Sequence, residues 1–195
     1  MDRAAALEWF EKAARSGSAM GMNMIGRCCE HGWGVGIDLP LAARWYRAAA
    51  DAGLDWGMYN LATLLALGSG VAEDRPAALA LFERAAALGR AKSMNMIGSF
   101  HEVGWAVTRD ADRATAFYRQ AALGGDFRGQ FNLARMLIAK GEIAEAIHWL
   151  RRVPETATPA FLTKVREWLN AQSLPSLRVL GAEWKISTDG TSSAS

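Results

Sequence analysis

Gly21-Met22-Asn23-Met24-Ile25-Gly26 returns 36 residues later as Gly57-Met58-Tyr59-Asn60-Leu61-Ala62, and again as Ser93-Met94-Asn95-Met96-Ile97-Gly98. The match runs on through Gly32, Gly68 and Gly104, through Val35, Val71 and Val107, and through Asp38, Asp74 and Asp110. It closes on Ala49-Ala50, Ala85-Ala86 and Ala121-Ala122, followed by Gly53, Gly89 and Gly125. A fixed period of this length is that of a helical pair repeated along a solenoid. Such a fold buries its core in slices between neighbouring repeats, and it is built to hold partners.

One copy shows why each unit is two helices. Helix A is expected over about residues 19–31, with Met22, Ile25, Gly26 and Cys29 at the i, i+3, i+4, i+7 spacing of one face. Its small residue recurs as Gly26, Ala62, Gly98 and Ala134, which marks a close helix approach. Gly32, Gly68 and Gly104 suit a left-handed helix end, and the valines three residues on are expected to plug each loop into the core. Asp38, Asp74 and Asp110 fit N-caps, and Pro40 and Pro76 fall in the first turn after them. Helix B, about 39–52, then presents Ala42, Trp45, Tyr46, Ala49 and Ala50, large rings alternating with alanine so that neighbours interlock.

The organisation that follows is a half repeat over 1–18, full repeats over about 19–54, 55–90 and 91–126, and a shortened repeat over 127–153. The chain thus begins in mid-repeat. A capping helix is expected within 154–173, where Phe161, Leu162, Val165, Trp168 and Leu169 form an apolar stripe. Residues 174–195 read as an extended segment against a helix, ending in a small, polar, disordered tail.

Composition excludes several classes. Of 195 residues 51% are hydrophobic and 22% charged, which is globular, and the formal net charge is +2. That balance lacks the basic stripe needed for phosphate neutralisation, so nucleic acid is not the expected partner. No apolar run is long enough to span a membrane. The start lacks the pattern of a secretory leader, so the expectation is cytoplasmic, or periplasmic had a leader been removed. The two cysteines, Cys28 and Cys29, are adjacent and indicate no disulfide framework.

Ile25-Gly26, Gly32, Gly34-Val35, Asp38, Ala42, Trp45-Tyr46, Ala49-Ala50 and Gly53 resemble the Sel-one-like repeat, a relative of the tetratricopeptide repeat. The resemblance covers about residues 5–153. It departs where the family's helix A tyrosine is Cys29, Leu65, His101 and Leu137, and where the third loop reads Gly104-Trp105-Ala106-Val107. It implies an all-α, right-handed α-solenoid of antiparallel helix pairs. It also implies a non-catalytic adaptor or regulator that binds a protein or peptide in a bacterial-type complex. A cysteine-rich branch of the family is linked to β-lactam binding and hydrolysis, but it carries two cysteines per repeat and this chain has two in all. A self-assembling structural unit is the third reading, with self-association through the open N-terminal repeat.

The chemistry-bearing clusters are thin. Cys28-Cys29-Glu30-His31 and His101-Glu102 contain ligand types, but the thiols diverge on a helix and no paired metal-ligand spacing occurs. No nucleophile elbow or phosphate loop is present, so no catalytic residue, metal or cofactor is expected. The resemblance places helix A on the concave side, which nominates Asn23, Arg27 and Glu30 of the first full copy. The equivalents are Trp56, Tyr59 and Thr63; then Lys92, Asn95, Ser99 and Glu102; then Arg128, Phe131 and Arg135. Asparagine suits a peptide backbone and aromatics suit side-chain pockets.

Overall fold

A computed structural model describes residues 3–184 and, among them, eleven α-helices with one short 3-10 turn. Those of the repeats are α1 (Arg3–Arg15), α2 (Ala19–His31), α3 (Leu39–Asp51), α4 (Asp55–Leu67), α5 (Arg75–Ala87), α6 (Ala91–Val103), α7 (Ala111–Leu123), α8 (Phe127–Ala139) and α9 (Ile143–Arg152). After the 3-10 turn Val153–Glu155 come α10 (Pro159–Asn170) and α11 (Pro175–Glu183). Successive helices form antiparallel pairs. The chain divides into two compact units, Met1–Phe117 and Tyr118–Ser195, with the division inside α7.

The helix ends are fixed by local chemistry. Ser18 and Asp38 accept from the backbone N–H of Gly21 and Leu41, and Asp74 accepts from that of Ala77. Asp110 accepts from the N–H of both Asp112 and Arg113. Each such cap is worth about 1 kcal/mol. Gly32, Gly68 and Gly104 close helices A in the left-handed conformation that their recurrence indicates.

In Met1–Phe117 helical glycines mark two kinds of close approach. A Cβ on Gly26 would lie 2.6 Å from the Tyr46 ring, so helices A and B of one repeat meet there. One turn earlier, a Cβ on Gly21 would lie 2.8 Å from the backbone N of Ala14, and one on Gly57 2.8 Å from that of Ala50. Here helix A touches the helix B before it, and Ser93, fully buried, holds the same position in the third copy. The position of the family tyrosine is buried in every copy, as Cys29, Leu65 and His101 in this unit and Leu137 in the next. Rings carry the core from repeat to repeat: Tyr59 to Phe82 at 5.7 Å, Phe82 to Phe100 at 5.9 Å, Phe100 to Trp105 at 5.8 Å. Tilted and edge-on pairs at these separations are favoured by the ring quadrupoles.

The loop valines differ from expectation. Val71 and Val107 pack against the core, but Val35 is exposed. The first loop still approaches the start of a helix through Gly34, whose missing Cβ would fall 2.6 Å from the carbonyl oxygen of Arg3, as the second does through Gly70 at Leu39.

In Tyr118–Ser195, Asp126 caps α8 by accepting from the N–H of Gly129 at 2.8 Å. Leu133, Leu137, Leu150, Val153, Leu169 and Leu177 are buried at its centre. A helix between Pro154 and residue 173 is found as α10. Residues 175–183, expected to be extended, form the helix α11, which packs on α10 and buries Leu177 and Leu180. Gly181, inside α11, allows that contact: a Cβ there would lie 3.0 Å from Cβ of Leu169. The disordered tail expected for 188–195 lies outside the described residues.

Candidate binding cavity

Six of the nominated side chains, Arg27, Glu30, Trp56, Tyr59, Thr63 and Lys92, line one open cavity of about 300 Å³, together with His31, Tyr46 and Asn60. They come from α2, α4 and α6, with Tyr46 reaching in from α3. The 36-residue period brings them together, because equivalent turns of successive A helices are neighbours.

Each wall is held in place by a partner. The Tyr46 hydroxyl donates to Glu30 Oε2 at 2.5 Å. Burial first, then the carboxylate it faces, pushes the Tyr46 phenol well above its ordinary range, so it remains a donor. Arg90 Nε donates to Asp55 Oδ2 at 2.6 Å, and its guanidinium lies 3.8 Å over the Trp56 ring, which fixes the indole. Lys92 Nζ stands 5.1 Å over the same ring. Among the described residues neither Arg27 nor Lys92 has an acidic partner. The Glu30 carboxylate is already engaged by Tyr46, with His31 Nε2 3.9 Å away. The Thr63 hydroxyl donates to the Tyr59 carbonyl at 2.9 Å, leaving its lone pairs to accept.

The remaining nominated residues are placed differently. Asn23 and Asn95 are only 2% and 5% exposed, so they lie inside rather than on an open lining. Asn23 Oδ1 accepts from Asn60 Nδ2 at 2.8 Å, a bond between repeats that satisfies a buried amide. Ser99 donates to the Asn95 carbonyl, and Ser99 and Glu102 are half-buried outside the cavity. In the second unit Phe131 meets the rings of Phe161 at 5.7 Å and Trp168 at 5.1 Å, so α10 already packs on it. Arg128 lies 5.6 Å over Phe161, and Arg135 lies 5.9 Å over Phe131. Sequence reasoning missed His31, Tyr46 and Asn60. Each is one helical step from a nominated position or belongs to helix B.

A second cavity, of about 370 Å³ and mostly apolar, is lined by Arg3, Ala6, Phe10, Met24, Cys28 and Trp33. Cys28 and Cys29 are free thiols, and burial pushes both above their ordinary range, which disfavours the nucleophilic thiolate. Among the described residues no three His, Cys, Asp or Glu side chains gather as a metal-ion cluster, and no helix is long and apolar enough to cross a membrane.

Comparison with known proteins returns a coherent set. The Sel1 repeat model matches residues 2–18, 19–54, 57–89, 91–126 and 128–152. A Sel1 repeat protein from Oxalobacter formigenes superposes with a TM-score of 0.79 at 26% identity, over 93% of this chain and 75% of that one. A protective antigen of uropathogenic Escherichia coli with the SLR fold gives 0.75 at 28% identity, over 94% of this chain and 40% of that one. An immunity protein from Pseudomonas aeruginosa, 16% identical, shares the fold at 0.63 over 90% of this chain and 67% of that one. Comparison with curated protein sequences gives no match.

Proposed function

The chain belongs to the Sel1 repeat family, and from that premise we propose that it is a non-catalytic scaffold, an adaptor or regulator, that binds a segment of another protein in the cavity of α2, α4 and α6. The observation that carries this reading is the convergence of Arg27, Glu30, Trp56, Tyr59, Thr63 and Lys92 on one open depression. The glycines that end the helices and the capping aspartates recur from copy to copy. The lining instead differs from copy to copy, offering two cations, two aromatic rings and several hydrogen-bonding groups to one ligand. Fixed aromatic and cationic side chains of this kind are the usual anchors of an interface, and the indole of Trp56 is held before any partner arrives.

The test is binding by isothermal titration, using peptides selected from a random dodecapeptide display library panned on the full chain. Lys92→Ala should weaken a selected peptide by about tenfold with the melting temperature held within a few degrees, and Tyr59→Ala, which also removes a ring from the core, should do the same by about tenfold when titrated well below its lowered melting temperature. Selected peptides that bind both variants as tightly as the wild type would place the recognition surface elsewhere.

A further inference from the structure

The two cavities share a wall, and that wall specifies more about the ligand than either cavity alone. Arg27 lines the polar cavity, yet its guanidinium lies 5.0 Å over Trp33, and its Nη1 approaches Met24 Sδ at 3.9 Å. Trp33 and Met24 line the apolar cavity. His31, also of the polar cavity, packs against Trp33 with ring centroids 4.8 Å apart. The chemistry changes across this wall. On one side Arg27 and Lys92 stand without acidic partners among the described residues, while Glu30 is engaged by the Tyr46 hydroxyl. On the other side Phe10, Met24 and Trp33 enclose a volume suited to one large apolar side chain, with Arg3 as the charged residue of its lining.

Resting on the reading that this face binds peptide, we propose that the ligand is an acidic segment that straddles the Arg27–Trp33 wall. It would seat a carboxylate side chain between Arg27 and Lys92, and a nearby leucine, methionine or phenylalanine in the apolar cavity. Charge complementarity selects the occupant: the linings of the two cavities carry three cations, Arg3, Arg27 and Lys92, against one carboxylate, Glu30, so a basic segment is repelled and a neutral one leaves that positive excess unanswered. An extended peptide can direct neighbouring side chains to opposite sides of a ridge.

The same display library, panned on the wild-type chain, reads this directly. Enriched sequences should carry Asp or Glu within a few positions of a large apolar residue. A synthesised winner should lose about tenfold in affinity when its acidic residue becomes the amide, and about tenfold when its apolar residue becomes alanine. Lys92→Glu should weaken the acidic peptide and abolish the difference between it and its amide. Ala6→Phe, which fills the apolar cavity, should abolish the difference made by the apolar residue. The peptide-side substitutions keep the test decisive even where a protein variant melts early. Enriched peptides with no acidic excess that still lose affinity with Tyr59→Ala would overturn the straddling ligand and leave the peptide-binding cavity standing. A library yielding no enriched peptide would overturn both.

Discussion

Ala106 occupies a position that the first two copies give to glycine. Gly34 and Gly70 have φ of 77° and 71°, and Ala106 has φ of 57°, the one positive value at a non-glycine among the described residues. A left-handed conformation costs an L-residue roughly 1–2 kcal/mol, whereas glycine costs about 0.5–1 kcal/mol in chain entropy. Ala106→Gly should therefore stabilise the protein by about 0.5–1 kcal/mol, read as a higher urea midpoint at unchanged slope. Tyr46 makes a second residue-scale prediction. Its phenol is fully buried, donates to Glu30, and has its pKa raised. The raised value means that this contribution is whole below the ordinary phenol value of about 10 and fades as pH climbs beyond it, because only the unfolded chain then releases the proton. Tyr46→Phe should cost about 1–3 kcal/mol at pH 7, the worth of a bond to a charged acceptor. That deficit should shrink between pH 10 and 11, since the other tyrosines and the lysines titrate alike in both proteins. A deficit independent of pH over that window would mean that the Tyr46 phenol titrates in the folded chain as it does in the unfolded one.

At the scale of elements, legibility followed the period. Helices α2 to α7 could be read because three copies repeat the same aspartate before helix B and the same glycine and alanine positions, so noise in one copy is corrected by the others. Helix α11 has no second copy. It begins on Pro175, a residue suited to a first turn, but it lacks a capping side chain at Leu174 and carries Gly181 inside, two signals that locally argue against a helix. Its reason to be helical is tertiary, the burial of Leu177 and Leu180. Glycines inside helices are the counterpart in the repeats. Gly57 lies in α4, where alanine would be the better helix former by about 1 kcal/mol. Its Cβ would, however, lie 2.8 Å from the backbone N of Ala50 and 2.7 Å from Ala49 Cβ. Neither group can swing aside, so the helices must separate, and overpacking of this kind costs about 1–3 kcal/mol. Because so rigid a contact falls at the upper end of that range, Gly57→Ala should destabilise by about 2 kcal/mol net. Thermal unfolding that shows a gain would refute the close approach of α3 and α4 at this point.

For the molecule as a whole, the candidate site was legible as a strip of helix positions, but not in which members of the strip are open. Asn23 and Asn95 fall on the strip by their register in helix A, yet an amide can be buried once another amide answers it, as Asn60 answers Asn23. Phe131 was nominated as an aromatic of the same strip, yet Phe161 and Trp168 already pack on it. Tyr46 enters from helix B, where recurrence had marked it as core, and its hydroxyl nevertheless reaches Glu30 at the cavity. These three outcomes share one cause: sequence position sets which way a side chain points, while the neighbouring helix determines whether anything remains uncovered there. The consequence is a prediction about where a bound peptide should act. Hydrogen exchange with and without a saturating selected peptide should slow in α2, α4 and α6, whose side chains form the cavity, and leave α8 and α10 at their unbound rates. Arg135→Ala should correspondingly leave peptide affinity within about twofold of wild type, against about tenfold for Lys92→Ala. Protection that falls instead on α8 and α10, with Arg135→Ala as damaging as Lys92→Ala, would move the binding surface from the cavity of α2, α4 and α6 to the Phe131 cluster.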